Sequence, residues 1–242
     1  MTALTLALVL ASAAIHACWN LWTKQVGGVA SRGALMWLLT ALSAAIYAPL
    51  AVFLALHRGW LPGAQAGVLI GGSSVLHAVY FLLLVGAYRD ADLSLVYPIA
   101  RGSGQLLAAI GGVLLFAERA TPLTAAGVLL VVAGVSLLGA RGPRRPDARI
   151  AGGIVGGLSI GWLIGVYTLW DGWAVKRAGV PPVVFYWAGE LLRTLLFTPA
   201  ALADRAGVAA LWRTQRPRVL AIAALSPLAY ILILIAMRTG PI

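Results

Sequence analysis

Uncharged apolar runs dominate the chain, and they recur at a length that a bilayer sets. A helix crossing a hydrocarbon layer of roughly 30 Å needs about 20 predominantly apolar residues. Runs of that size occupy 3–23, 33–56, 66–88, 93–117, 120–140, 150–170, 180–203 and 219–237, so the pattern predicts eight membrane helices. Two of them carry charge: Arg101 stands in the fourth, and Glu190 with Arg193 in the seventh. The connections are short, and 204–218 reads as the one longer loop. The first run has no basic leading segment, and its polar residues continue as His16, Trp19, Asn20 and Lys24. It is therefore read as a retained helix and not as a cleaved signal.

Composition agrees with the pattern. Of 242 residues, 61% are hydrophobic and 10% charged, with a mean hydropathy of +0.93, whereas soluble domains carry about 25% charged residues. That excludes an ordinary soluble domain and a disordered chain. The single cysteine, Cys18, rules out an intrachain disulfide scaffold. A net charge of +11 would point to nucleic acid in a soluble protein. Here the basic residues sit in the breaks between apolar runs, so membrane topology accounts for them and no nucleic-acid partner is implied. Sixteen of the eighteen are arginine, which together with the Ala, Leu and Gly richness suggests a bacterial chain.

An internal repeat organises these helices. His16-Ala17-Cys18-Trp19-Asn20-Leu21-Trp22 reappears as Tyr167-Thr168-Leu169-Trp170-Asp171-Gly172-Trp173, and Met36-Trp37 and Pro49 correspond to Tyr186-Trp187 and Pro199. Further on, Tyr80 and Arg89 correspond to Tyr230 and Arg238. The repeat unit is five helices, and an odd number makes the second copy enter the membrane from the opposite side, as in many secondary transporters. The expected organisation is an all-α polytopic protein: a first repeat at 1–140, a basic connection at 141–149, and a second repeat at 150–242. Pro241-Ile242 matches Asp92-Leu93. On that register the second repeat holds helices six to eight and the start of a ninth, and ten helices in about 290 residues would complete it.

These segments resemble the drug/metabolite transporter superfamily of EamA type. The resemblance rests on His16 to Asn20 with Lys24, on Asp92-Leu93-Ser94-Leu95-Val96-Tyr97-Pro98-Ile99-Ala100-Arg101-Gly102, on Gly112 to Glu118-Arg119 before Thr121-Pro122, and on Tyr167 to Trp173. It covers essentially the whole chain. It implies ten helices in two inverted repeats around a central cavity lined by the first four helices of each, and it implies that both termini are cytoplasmic.

Several residues could contact a solute. An arginine inside a span costs about 2.5–3.5 kcal/mol on insertion scales, so Arg101 should face a cavity or a partner. Tyr97-Pro98 before it is expected to break the helix. Glu190 and Arg193, three apart, can neutralise one another; alternatively Glu190 faces the cavity and exchanges a proton. His16 with Asn20, and Tyr167 with Asp171, place matching polar pairs on two helices. His77 and Tyr80, Trp187 in the seventh helix, and Tyr230 complete the substrate-binding candidates. Trp19 and Trp170 lie near span ends and are expected in an interfacial aromatic belt. Gly153, Gly157, Gly161 and Gly165 form a bare stripe suited to close helix packing.

Motifs for catalysis, zinc or nucleotides are missing, so no enzyme and no cofactor is expected. The odd-numbered connections carry 11 Lys and Arg against 5 in the even ones, which by the positive-inside rule puts the odd ones in the cytoplasm and the N-terminus outside. The expectation is a multi-pass protein of the bacterial inner membrane. It would move a small polar metabolite, such as an amino acid or organic acid, by alternating access. Its partners would be that solute, the lipid bilayer and a coupling proton, with a homodimer allowed. A membrane scaffold or sensor, or a membrane-embedded enzyme, is the alternative.

Overall fold

In lipid every backbone N–H and C=O needs an internal partner, which leaves helices as the economical way to cross for runs such as these. The structure, a computed structural model, describes residues 3–26, 28–57, 59–90, 92–118, 121–140 and 148–239. Among them it has eight long α-helices and no strand: α1 Ala3–Val26, α2 Arg32–His57, α3 Ala64–Asp90, α4 Leu93–Phe116, α5 Pro122–Ala140, α6 Ala148–Gly172, α7 Pro182–Ala203 and α8 Arg205–Thr239. A five-residue π-helical turn, Trp173–Arg177, continues α6. Most of the predicted basic connection, residues 141–147, lies outside the described residues, as do Arg119, Pro241 and Ile242.

Six helical stretches, Ala3–Val26, Arg32–His57, Ala64–Ala87, Ser94–Phe116, Ile150–Arg177 and Arg205–Arg238, are long and apolar enough to cross a membrane. They mark the chain as a multi-pass membrane protein. Leu10, Leu114, Leu130 and Leu195 are each more than 60% exposed, as expected of side chains that face lipid. In α5 the described apolar stretch is the shorter Ala125–Gly134. Among the described residues six of the eight expected spans meet this measure; α7, which carries Glu190, Arg193, Thr194 and Thr198, does not.

Two further expectations are corrected. The loop at 204–218 is helical: α8 runs unbroken for 35 residues from Arg205. Asp204 sets its start, accepting the Gly207 N–H at 3.0 Å. Good helix formers follow, with Arg218 donating to Gln215 three residues back at 2.6 Å. Pro217 is exposed, so the carbonyl it leaves without a partner can be hydrated. Nor does Tyr97-Pro98 break a helix, because Pro98 lies inside a continuous α4. A proline removes one hydrogen bond, whereas ending the helix there would strand several backbone groups in lipid. α4 ends instead at Ala117, in the left-handed region at φ 54°, with its N–H bonded to the Gly112 carbonyl.

The chain forms two compact units, Met1–Ala78 with Trp170–Pro241, and Val79–Leu169. In the first, α2 and α7 run antiparallel. Going along α2, Gly33 abuts Ala200, Trp37 donates to Thr198 Oγ1 at 3.2 Å, Thr40 meets Thr194 at 3.1 Å, and Ala44 accepts from Trp187 at 3.0 Å. The Ser31 N–H donates to Asp204 at 2.7 Å and ties the ends of the pair. Side chains on the early helices also bond the α8 backbone: Ser12 to Ala229 at 2.8 Å, Ser43 to Ala223 at 2.9 Å and Tyr47 to Ala224 at 2.6 Å. Such bonds between helices are the glue available where burial supplies no driving force. The start of α3 meets the end of α6, where Trp170 donates to the Leu69 carbonyl at 2.8 Å and its ring fills the space beside Gly72.

In the second unit α4 and α6 run parallel along the predicted glycine stripe. A Cβ on Gly157 would lie 2.9 Å from Ile99. One on Gly161 would coincide with Ser103 Oγ and come within 2.8 Å of the Ala100 carbonyl, and one on Gly165 would strike Leu107. From α4, Gly104 admits Ile164 and Gly111 admits Leu169. The stripe is a helix-packing surface.

Candidate functional site

Within the first unit, α3, α6, α7 and α8 bring a set of ionisable side chains together and remove them from solvent. Asp171 is 0% exposed, Arg193 1%, His77 3% and Glu190 3%. The α7 contribution follows from helix geometry, since residues 186, 190 and 193 share one face. Glu190 and Arg193 form the expected intrahelical ion pair at 3.0 Å. It is a contact of charge more than an aligned hydrogen bond. Arg193 Nε and Nη2 and Glu190 Oε2 have no hydrogen-bond partner among the described residues. The guanidinium also lies 5.2 Å over the Tyr186 ring.

Asp171 comes from the last turn of α6, just before the π-helical turn, a deviation that often marks functional segments. Its Oδ2 accepts the Tyr230 hydroxyl of α8 at 2.8 Å, and His77 Nε2 of α3 lies 3.8 Å away. The other oxygen, Oδ1, has no hydrogen-bond partner among the described residues. His77 packs edge-on against the Tyr230 ring, with centroids 5.1 Å apart. Its Nδ1 is held 3.0 Å from the Ser73 carbonyl one turn back. Tyr186 stacks on Tyr230 at 5.4 Å, and Ser74 reaches the Ile70 carbonyl at 2.7 Å.

Of the predicted site residues, the structure therefore gathers His77, Asp171, Glu190, Arg193 and Tyr230. Others have local tasks. Asn20 donates to the His16 carbonyl of its own helix at 2.7 Å, and half-buried His16 sits beside Ser12, 3.1 Å away. Trp187 anchors α7 to α2 through Ala44. The remaining four belong to the second unit: Tyr80 and Tyr167 meet edge-on at 5.3 Å, and half-buried Arg101 lies 5.6 Å over the Tyr97 ring. Trp19 and Trp170 do not form an interfacial belt. Trp19 is 2% exposed, and the Trp170 indole N–H is taken by the Leu69 carbonyl. Sequence reasoning overlooked Tyr186 and Ser73 as site residues. The helical period carries both, Tyr186 four residues before Glu190 and Ser73 four before His77.

Asp171 and Glu190 thus present acceptor oxygens, and Arg193 donor nitrogens, within one buried cluster. Among the described residues no group of His, Cys, Asp and Glu has the arrangement to hold a metal ion. No family model matches the sequence. A solved structure titled only as the crystal structure of a protein is similar, with a TM-score of 0.68 and 19% identity over 97% of this chain and 80% of its own. That likeness is one of fold.

Proposed function

We propose that the protein is a secondary transporter of the EamA type, moving a small polar metabolite across the bacterial inner membrane by alternating access. The observation that carries the reading is the buried cluster of Asp171, Glu190 and Arg193 within a multi-pass helical protein. Ionisable groups inside a membrane protein are expensive and mark solute or ion pathways. Here polar atoms of all three lack hydrogen-bond partners among the described residues. A solute that supplies an anionic group to Arg193 and a donor to a carboxylate satisfies them, which favours a zwitterion or a hydroxylated organic acid.

The inverted-repeat reading has support of its own. The antiparallel seam of α2 and α7 carries a reciprocal pair of indole bonds, from Trp37 to α7 and from Trp187 to α2, and these are the two tryptophans that the repeat equates. Under the same correspondence α1 matches α6 and α3 matches α8. Contact of α1 with α8 then has its counterpart in contact of α6 with α3, made through Trp170 and Leu69.

Thermal stabilisation of the purified full chain in detergent, screened over amino acids and organic acids, tests the function. A ligand that binds only the folded state at about 100 times its Kd stabilises by roughly 2.7 kcal/mol. A zwitterionic or anionic solute should raise the unfolding temperature of the wild type and not of Arg193→Lys, and the same solute should exchange across proteoliposomes. A folded protein that responds to no solute in the screen would move the assignment to a membrane scaffold or sensor.

A further inference from the structure

The charges of the buried cluster do not balance as they stand. Glu190 and Arg193 neutralise each other at 3.0 Å, which leaves Asp171 facing His77 at 3.8 Å. His77 Nδ1 lies 3.0 Å from the Ser73 carbonyl and 3.3 Å from the Ser73 hydroxyl; bonded to the carbonyl, which can only accept, the ring carries its proton on Nδ1. In the neutral ring, Nε2 then turns a lone pair toward the Asp171 carboxyl. Two acceptors would oppose each other there, with Asp171 carrying a net negative charge at 0% exposure. The groups facing Asp171 are Ser73 and His77 of α3, Arg193 of α7 and Tyr230 of α8; beside Arg193 stand Glu190 and Tyr186. Tyr230 donates one hydrogen bond to Oδ2, and the one guanidinium among these groups is already matched by Glu190. Burial of an uncompensated carboxylate is costly, and a single proton removes the cost.

We propose that Asp171 and His77 hold one exchangeable proton between them, as carboxylic acid with neutral imidazole or as carboxylate with imidazolium, and that this pair, not Glu190, is the protein's proton site. Loss of the proton to water leaves a carboxylate and a neutral imidazole. A solute ammonium arriving at Asp171 then takes over the role of the departed proton as donor and positive charge. Bound solute and bound proton therefore exclude each other at one carboxyl, which is the requirement for exchanging them across a membrane. That last step rests on the transport reading above; the proton site does not.

Infrared difference spectra of the full chain in detergent, between about pH 5 and about pH 9, read the proton without any ligand. The expected result is loss, on the alkaline side, of one protonated-carboxyl C=O band or one imidazolium ring band. That band should be missing from Asp171→Asn, missing from His77→Gln if it is the imidazolium band and shifted there if it is the carboxyl band, and shifted in Tyr230→Phe, which removes the hydrogen bond to Oδ2. If a variant does not fold, wild-type protein carrying isotope-labelled aspartate or histidine gives the assignment through the isotope shift. A band that survives in Asp171→Asn, or a wild-type spectrum with neither band, overturns the proposal. A titrating pair in a protein that no solute stabilises keeps the proton site and removes transport.

Discussion

Arg193→Met leaves Glu190 buried without its counter-charge, and the geometry sets the size of the effect. At 3.0 Å, two unit charges attract by about 5.5 kcal/mol at an effective dielectric constant of about 20. Both side chains are already desolvated, Arg193 at 1% and Glu190 at 3% exposure. Removing one partner of such a pair typically costs about 3–5 kcal/mol, while replacing both with neutral groups of similar size is often close to neutral. Arg193→Met should therefore fall in that range, Glu190→Gln should cost less because Tyr186 and Asp171 still face the guanidinium, and the double variant should be more stable than Arg193→Met alone. Equilibrium unfolding in mixed micelles of mild detergent and SDS, followed by tryptophan fluorescence, measures all four proteins. Costs that simply add, with the double variant the least stable, would refute the reasoning, since independent costs mean the two charges do not compensate each other.

Three other outcomes follow from the packing and the caps. Gly161→Ala presses a methyl against the Ala100 carbonyl and should cost about 1–3 kcal/mol, whereas Gly152→Ala, with nothing within 4 Å, should gain about 1 kcal/mol of helix propensity; the same unfolding assay compares them. The N–H groups of Ser31 and Gly207 hold the Asp204 carboxyl below its ordinary range, so its contribution is present above the unfolded value near about 3.9 and is lost as pH falls through the lower folded value. Melting curves against pH should accordingly show Asp204→Asn less stable than wild type near neutrality, with the gap closing in acid. Because Ser31 bonds Asp204, membrane-impermeant labelling in a Cys18→Ser background should find Gly28→Cys and Ala206→Cys on one face and Gly63→Cys on the other.

Local chemistry was legible in the sequence, and convergence was not. The Glu190–Arg193 pair and the glycine stripe of α6 follow from helical spacing alone, and both appear as their spacing requires. The meeting of Asp171 with Tyr230 joins residues 59 apart on helices whose relative rotation is a product of packing, so no periodicity reveals it. Arg101 is conspicuous in the sequence as the one charged residue of its apolar run, whereas Arg193 is less so because a carboxylate three residues away accounts for it. The helical state of 205–218 was hidden for a different reason. Charge density signals exposure to water, and exposure says nothing against a helix that is capped at Asp204 and rich in Ala and Arg.

The length of α8 fixes a depth. Its 35 residues extend about 52 Å at 1.5 Å per residue, and fitting that into roughly 30 Å of hydrocarbon would demand a tilt of about 55°, beyond the range of about 0–40° seen for membrane helices. The surplus must stand clear of the acyl chains, and the exposed Arg213, Arg216 and Arg218 show which end does so. The uncharged stretch between Arg218 and Arg238 is then a ruler laid across the bilayer. Tyr230 falls about 18 Å along it from Arg218 and about 12 Å short of Arg238. The hydroxyl bound to Asp171 thus lies well inside the hydrocarbon, nearer the depth of Arg238 than that of Arg218.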